Sequence, residues 1–267
     1  MPRLLLFVLL ALLQALPCTA ALRIYYLRHA EGGHNVVKAW ADKPKESWPS
    51  YVGDPNQFTP LGLEQVEKVA PRLSSLHFDF IAVSPYWRTR NTILPYLLST
   101  RTQAEIWPEL GEFAGLSVTF LGKPDLPPPE KDLYKGRVIE LPQNEQGVFL
   151  VREDRPREFN VPKDGPQAGA NLEAILGQAI TQLKARFAGS DKTVLLVGHG
   201  NSGKALLQRL INQKLPPKLV MENVSLWMVE EQADGSFALR LFNNAAWPVA
   251  PQEGQAPSAP KVQEPAK

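Results

Sequence analysis

This sequence has one cysteine, four histidines, no long run of like charge and a single long apolar run at its start. Its 267 residues include 29 Lys and Arg against 27 Asp and Glu, which gives a net charge of +2. Without a basic patch the chain is not expected to bind nucleic acid, so an anionic ligand must be met by a local cluster of arginines. With 44% hydrophobic residues the chain can bury one substantial core, which predicts one folded domain.

The first twenty residues have the layout of a secretory signal. A short basic opening precedes the apolar run at residues 4–13, and Cys18-Thr19-Ala20 offers small residues to a signal peptidase. The run is too short for a comfortable bilayer span, so we expect cleavage after Ala20, with an uncleaved anchor as the alternative. Cleavage removes the cysteine and predicts a secreted or periplasmic protein with neither disulfides nor stable membrane insertion.

The C-terminal end differs in composition from the rest of the chain. From residue 249 it is rich in Pro, Gln, Glu and Ala, with too little apolar surface to offset the entropy lost on ordering. The sequence therefore predicts a signal peptide at 1–20, a catalytic domain at 21–248 and a disordered tail at 249–267.

Short apolar runs alternate with segments of helical spacing between these two ends. Three runs that do not alternate with polar residues predict strands buried on both faces, at 23–27, 78–83 and 193–197. Helices are predicted at 61–73, after the N-cap Thr59 and Pro60, and at 86–98, 172–187 and 202–212. The segments 225–230 and 237–242 flank a turn and predict a hairpin. The pattern indicates an α/β fold, a three-layer α/β/α sandwich with a largely parallel central sheet.

Reactive side chains follow the predicted strands. His29 comes directly after the first strand and beside Arg28, His199 comes after the strand at 193–197, and Arg88 follows the strand at 78–83. The carboxyl ends of parallel strands share one sheet edge, where ligands bind in such folds. Neutral imidazole is a nucleophile toward phosphorus, and guanidinium groups match phosphate oxygens in geometry. The sequence therefore predicts a phosphoryl-transfer site at this edge.

Four motifs in order resemble those of the histidine phosphatase superfamily, in its phosphoglycerate mutase-like branch. They are Leu27-Arg28-His29-Ala30-Glu31 with Asn35, Thr59-Pro60-Leu61-Gly62 with Gln65, Ser84-Pro85-Tyr86-Trp87-Arg88 with Thr92, and Val197-Gly198-His199-Gly200. The resemblance covers nearly all of residues 22–247. It implies the phosphoglycerate mutase-like fold and a phosphatase that needs no metal and no cofactor.

The resemblance also implies roles for individual residues. His29 would be phosphorylated, Arg28 and Arg88 would hold the phosphoryl oxygens, and His199, if protonated, would add a third positive donor. Asn35 would donate an uncharged hydrogen bond. A carboxylic acid must protonate the leaving alkoxide. The family pattern favours Glu112 for this role, with Glu109 as the alternative.

Other positions depart from the family or are expected to lie outside the site. Ala30 stands where the family often has glycine, and Gly32 stands where it often has serine or threonine, which removes a hydroxyl that helps to bind phosphate. Thr59 is expected only to cap a helix. The side chains expected to point elsewhere or to lie on the surface are Arg90, His34 and His77.

The function predicted is a secreted or periplasmic phosphomonoesterase that acts on a phosphorylated small molecule or peptide. The alternatives are a family member that binds phosphorylated ligands without turnover and a phosphoglycerate-type mutase, whose intracellular substrates fit a signal peptide poorly. The irregular segments 40–58 and 122–165 are expected to determine substrate specificity as lids or specificity loops. The alternative is that they have a purely structural role. Within the second segment, Arg152, Arg155 and Arg157 could recognise a second anionic group or could be solvated.

Overall fold

The computed structural model describes residues 21–112, 126–161 and 165–247, so the predicted signal peptide and tail lie outside the described residues. Eight strands are present within these ranges: Arg23–Arg28 (β1), Phe80–Val83 (β2), Ala104–Ile106 (β3), Phe149–Leu150 (β4), Thr193–Gly198 (β5), Leu226–Glu231 (β6), Phe237–Phe242 (β7) and Ala245–Ala246 (β8). The α-helices are Val37–Trp40 (α1), Pro60–Leu73 (α2), Trp87–Thr100 (α3), Ala168–Phe187 (α4) and Gly200–Ile211 (α5). Short 3₁₀ turns lie at Gly33–Asn35, Lys45–Ser47, Pro108–Leu110 and Gln143–Glu145.

The strands form one mixed sheet in the order β4-β3-β2-β5-β1-β6-β7-β8. The first five in this order are parallel to one another, and β6, β7 and β8 continue the sheet in antiparallel pairs. Val197 of β5 is in register with Leu27 of β1 on one side and with Val83 of β2 on the other. The three central strands therefore end at the same level, and the residues after them meet at one edge.

The sheet is covered by helices on both faces because its central strands are apolar on both. In β5, Val194 and Leu196 pack into a core formed with α4 and α5. Leu195 and Val197 point to the opposite face and pack against α2 and α3. The predicted three-layer α/β/α sandwich with a largely parallel sheet is confirmed.

The predicted elements are found with small shifts at their ends. Thr59 caps α2, because its Oγ1 accepts a hydrogen bond of 3.0 Å from the Gly62 backbone nitrogen, and Pro60 is the first helical residue. The predicted hairpin is the antiparallel pair β6 and β7. Three strands were not predicted. β3, β4 and β8 have only two or three residues, which is too short for an apolar pattern to identify them.

The two irregular segments differ from each other in the structure. Residues 40–58 contain one 3₁₀ turn, whereas the described part of 122–165 contributes β4 to the sheet edge and a bridge between Val138 and Glu158. Within the described ranges, no helix is both long enough and apolar enough to cross a membrane.

Candidate active site

His29 directly follows β1, and hydrogen bonds with β5, α3 and a loop hold the backbone of His29 and Ala30. Its backbone nitrogen donates to the Gly198 carbonyl over 2.9 Å, and its carbonyl accepts from Asn223 Nδ2 over 2.9 Å. The next residue, Ala30, donates its backbone N–H to Thr92 Oγ1 of α3 over 2.9 Å. The imidazole is 1% exposed. The fold therefore fixes His29 before any ligand arrives.

The contacts of the His29 ring define its tautomer. Nδ1 lies 2.6 Å from the Ala30 carbonyl oxygen, which can only accept, so Nδ1 carries the proton. Nε2 accepts a hydrogen bond of 3.3 Å from Arg88 Nε, and a guanidinium can only donate. The lone pair of His29 is therefore on Nε2.

His29 is neutral at ordinary pH. Burial lowers the pKa of its imidazole well below the usual value, and the nearby His199 and Arg88 lower this pKa further. A nucleophilic histidine must be unprotonated, so the surroundings hold it ready to attack an electrophile.

Two arginines flank His29. Arg88 lies at the start of α3, and its Nη2 is 2.6 Å from Glu112 Oε2. Arg28 donates from Nη1 to the Met221 carbonyl, and its Nε has no partner among the described residues. A side chain at Gly200 would place a Cβ only 3.2 Å from that Nε, so the glycine leaves room for the guanidinium. Both arginines thus keep donors free or exchangeable for an anion.

The two candidate acids lie in different surroundings. Glu109 is buried within the 3₁₀ turn at Pro108–Leu110, where it forms an ion pair with Arg155 and accepts from Gln182 over 3.0 Å. Glu112 follows that turn and lines the same pocket as His29. Only Glu112 is in reach of a substrate at His29.

Glu112 is ionised at ordinary pH. Its burial acts to raise the pKa of this carboxyl, but His199 and the charge of Arg88 outweigh burial and hold it well below its usual range. A carboxylate in this state can accept a proton. It becomes a proton donor only if its interactions with His199 and Arg88 are weakened.

His199 lies behind the pocket and is fully buried at 0% exposure. Its ring centroid is 5.2 Å from that of His29, and its Nε2 is 2.9 Å from Ser84 Oγ. Nδ1 is 3.3 Å from Glu112 Oε2 but is not aligned for a hydrogen bond. Burial lowers the pKa of His199 to about 4 in spite of the Glu112 carboxylate. His199 is thus a neutral donor, and it does not supply the third positive charge that a protonated His199 would add.

Asn35 lines the pocket, but its Oδ1 accepts a hydrogen bond of 3.0 Å from the Gly32 backbone nitrogen. Its amide nitrogen is the group left to face a ligand. Glu31 is held from α2, since its backbone N–H donates to Gln65 and its carboxylate accepts from Thr59 over 2.6 Å. Thr59 therefore braces the histidine loop in addition to capping its helix.

His34 was predicted to be a surface residue, and the structure contradicts this prediction. It is half-buried, it lines the pocket, and its ring centroid is 5.5 Å from that of His29. A Cβ at Gly32 would lie 2.9 Å from His34 Nδ1, so the glycine makes room for this imidazole. Burial lowers the pKa of His34 to about 4, which leaves it neutral. The missing hydroxyl at position 32 was the one sequence signal that the loop differs here.

Other arginines and histidines lie outside the pocket. Arg90 is buried in an ion pair with Glu145, and Arg155 is paired with Glu109, while His77 is exposed on the surface. Arg152 pairs with Asp154 and Glu105. Arg157 lines a separate surface depression. None of the three arginines considered for a second anion reaches the site.

The pocket has a volume of about 720 Å³, and both irregular segments contribute to it. Among the described residues, its lining contains four cationic side chains and one carboxylate: Arg28, Arg88, Arg137, Lys204 and Glu112. A loop at residues 217–221 forms an apolar wall. Such an excess of positive charge in a partly enclosed site favours an anionic ligand.

One group of potential metal ligands exists in the part of the chain that the structure describes. Atoms of His29, His34 and Glu112 lie within 4.8 Å of one another. However, Arg88 donates to both Glu112 and His29, and its fixed positive charge lies against the same space. These surroundings suit an anion better than a cation.

Comparison with known protein families agrees with the motifs. Residues 24–119 match the Histidine phosphatase superfamily (branch 1). This range includes His29, Arg88 and Glu112 and ends before His199. No match is found among curated protein sequences.

Solved structures share the fold at low sequence identity. A protein named mycobacterial hydrolase 1 is 19% identical, with a TM-score of 0.53 over 85% of this chain and 100% of its own. The α-ribazole phosphatase from Shigella flexneri is 18% identical, with a TM-score of 0.51 over 85% and 99%. A mutant phosphoserine phosphatase from Entamoeba histolytica, in complex with phosphoserine, is 18% identical, with a TM-score of 0.50 over 83% and 96%. The predicted phosphoglycerate mutase-like fold is confirmed.

Proposed function

Because residues 24–119 match the histidine phosphatase superfamily (branch 1) and the site fits that chemistry, we propose that the protein hydrolyses phosphate monoesters through a phosphohistidine intermediate on His29. The observation that carries the proposal is the fixed orientation and neutral state of the His29 imidazole. Its Nδ1 proton is held by the Ala30 carbonyl and its Nε2 lone pair faces Arg88, in a pocket with excess positive charge. A fixed, neutral imidazole beside guanidinium donors is suited to attack phosphorus.

In the first step His29 Nε2 attacks the phosphorus atom. The P–N bond forms as the P–O bond to the alcohol breaks, and the alcohol oxygen takes a proton from Glu112. The negative charge on the phosphoryl oxygens is met by Arg28 and Arg88. In the second step a water molecule attacks the phosphohistidine and gives its proton back to Glu112. The electron pair of the P–N bond returns to Nε2.

Glu112 must gain a proton before it can donate one. A phosphate dianion competes with Glu112 for Arg88, because both are strong acceptors of its charged N–H groups. Once Arg88 turns to the phosphate, Glu112 loses its positive partner and lies beside a second negative charge. Both changes raise the pKa of Glu112, so substrate binding itself promotes proton uptake at this residue.

Neutral donors complete the proposed site. His199 Nδ1 is buried behind the pocket with no hydrogen-bond partner among the described residues, and we infer that it donates to a phosphoryl oxygen when the substrate binds. The Asn35 amide and His34, both in the loop that follows β1, add further donors. His34 occupies the space beside Gly32, so its imidazole offers a donor near the place where a serine or threonine hydroxyl at position 32 would lie.

The direct test is hydrolysis of an aryl phosphate by the wild type, with and without a chelator, and by His29→Asn. We expect turnover that the chelator does not change and that His29→Asn abolishes, whereas His77→Asn, at an exposed histidine, retains it. Binding of tungstate without hydrolysis of any ester would favour a phospho-ligand-binding protein. Transfer of phosphate to an acceptor alcohol in preference to water would favour a mutase.

We also propose that the protein is exported, on the composition of residues 1–20. Leu22 is fully buried, and its carbonyl accepts from the Glu231 backbone nitrogen over 2.9 Å, so a cut after Ala20 keeps the whole of β1 and its anchoring contacts. Mass spectrometry of the exported protein is expected to give Ala21 as its first residue. Retention of residue 1 would contradict export by cleavage.

A further inference from the structure

The pocket is much larger than a phosphate group, and one of its cations lies away from the His29 centre. Arg137 is exposed and lines the pocket with Asn160, and both come from the segment after Glu112. Among the described residues Arg137 has no carboxylate at ion-pair distance, whereas Arg152, Arg155 and Arg186 each have one. It is thus a charge in the pocket that no described side chain neutralises.

Two aromatic rings position this guanidinium. Its central carbon lies 5.7 Å from the ring centroid of Tyr86 and 5.4 Å from that of Phe159, and these rings meet edge to face at 5.1 Å. Contact with aromatic faces holds an arginine while its N–H groups stay free. The backbone is also fixed, because Phe159 donates its backbone N–H to the Arg137 carbonyl over 3.0 Å.

Tyr86 also connects Arg137 to the phosphoryl site. The guanidinium carbon of Arg88 lies 4.6 Å from the same ring centroid. The two guanidinium carbons are therefore at most 10.3 Å apart, the sum of their distances to that centroid. One extended small molecule can reach both.

We propose that Arg137, with Asn160, forms a subsite for a second anionic group, so that the substrate is a phosphate monoester that also carries a carboxylate or another phosphate. The proposal rests on the proposed function of the His29 site. The linking part of the substrate would lie along the apolar wall, which includes Leu219 and Val220, the latter 66% exposed. This assignment replaces Arg152, Arg155 and Arg157 as candidates for second-anion recognition.

The test uses ligands that cannot be hydrolysed. A series of ω-phosphonocarboxylates of increasing chain length is titrated calorimetrically, each beside the alkylphosphonate of equal length, and diphosphonates form a third arm. We expect one chain length at which a terminal anion tightens binding to the wild type by about tenfold, as one charge-assisted hydrogen bond would. Whether the carboxylate or the second phosphonate gains more identifies the group.

Arg137→Met is expected to lose this gain while it binds alkylphosphonates as the wild type does, which also shows that it is folded. Arg157→Met is the matched control. Arg157 accepts a backbone hydrogen bond from Ile139, close to Arg137 in the chain, but its side chain lines a depression outside the pocket, so this variant is expected to keep the gain. If the terminal anion adds nothing at any length, or its gain survives in Arg137→Met, the subsite is wrong while the phosphatase proposal stands. If no phosphonate binds at all, the phosphoryl site itself is contradicted.

Discussion

Single residues in this site are defined by what surrounds them more than by their type. His29, His34 and His199 are all neutral because burial lowers each pKa, yet only His29 has its lone pair directed at Arg88 and its other nitrogen held by a carbonyl. The same holds for the acids. Glu109 is held in a buried ion pair with Arg155, whereas Glu112 pairs with Arg88, which a phosphate can draw away. These surroundings make His29 the candidate nucleophile and Glu112 the candidate acid.

Glu112→Gln tests the acid assignment through the leaving group. An alkyl phosphate needs its leaving oxygen protonated, so we expect kcat to fall by about a hundredfold or more. An aryl phosphate with a stable phenolate should be affected far less. Glu109→Gln serves as the control, since it should lower stability without changing the ratio between the two substrates. Equal losses on both substrates in Glu112→Gln would contradict the assignment.

His34→Ala tests whether this histidine replaces a missing hydroxyl. We expect kcat/KM to fall about three- to tenfold, as for the loss of one neutral hydrogen bond, with His77→Ala unchanged. A serine at position 32 would displace the His34 ring from its present position, because the serine Cβ would lie 2.9 Å from the ring nitrogen. The double variant Gly32→Ser, His34→Ala should therefore recover activity lost in His34→Ala. No recovery, with the fold intact, would show that His34 acts otherwise.

At the scale of elements, the site depends on how α5 packs against β1. Tyr26 of β1 accepts a hydrogen bond of 2.7 Å from the His199 backbone nitrogen and donates one to the His199 carbonyl over 3.1 Å. Its ring stacks on Trp227 with 5.0 Å between centroids. Gly203 of α5 also packs against this ring, where a Cβ would be 2.4 Å from Tyr26 Cε1. The position of His199 is thus set by a packing contact between two elements.

Alanine substitutions at two helical glycines distinguish the effect of the Gly203–Tyr26 contact on stability from the effect of helix propensity. Gly203→Ala must push α5 away from Tyr26, and we expect it to lower the free energy of unfolding by about 1–3 kcal/mol and to reduce kcat. Gly177→Ala in α4 meets nothing within 4 Å and should raise stability by about 0.5–1 kcal/mol. Urea unfolding measures both. If Gly203→Ala leaves the free energy of unfolding unchanged, the proposed packing of α5 against Tyr26 is contradicted.

The sequence predicts the long elements of this fold but few of the contacts that build the site. β1, β5 and α2 have continuous apolar runs or a capping Thr-Pro pair, and both signals are local. Arg137 and Asn223 reach the site through tertiary placement of irregular segments, and no spacing in the sequence encodes that. The role of His34 depends on the absence of a side chain at Gly32, which becomes informative only when the loop geometry is known.

For the whole molecule, the neutral buried histidines make stability depend on pH. The folded pKa of His199 is about 4 and its unfolded value is 6.5, while the folded pKa of His29 is also well below 6.5. As pH falls below 6.5 the unfolded chain binds protons that the folded protein does not, so stability is full above pH 6.5 and decreases toward pH 4.

The loss from His199 alone should be on the order of 3 kcal/mol near pH 4, since each pKa unit corresponds to about 1.4 kcal/mol. Urea unfolding from above pH 6.5 down to about pH 4 measures it. His199→Gln should flatten the slope, while His77→Gln at an exposed position should leave it unchanged. A wild-type slope that His199→Gln does not alter would show that other groups cause it.

The measurement that tests the central claim most directly is to trap the phosphoenzyme. The protein is mixed with an aryl phosphate, quenched in alkali, in which phosphohistidine is stable, and mapped by mass spectrometry. We predict a phosphoryl group on the His29 peptide that acid removes and that is absent from His29→Asn. Turnover without this species, or a phosphoryl group on another residue such as His34, would contradict the account.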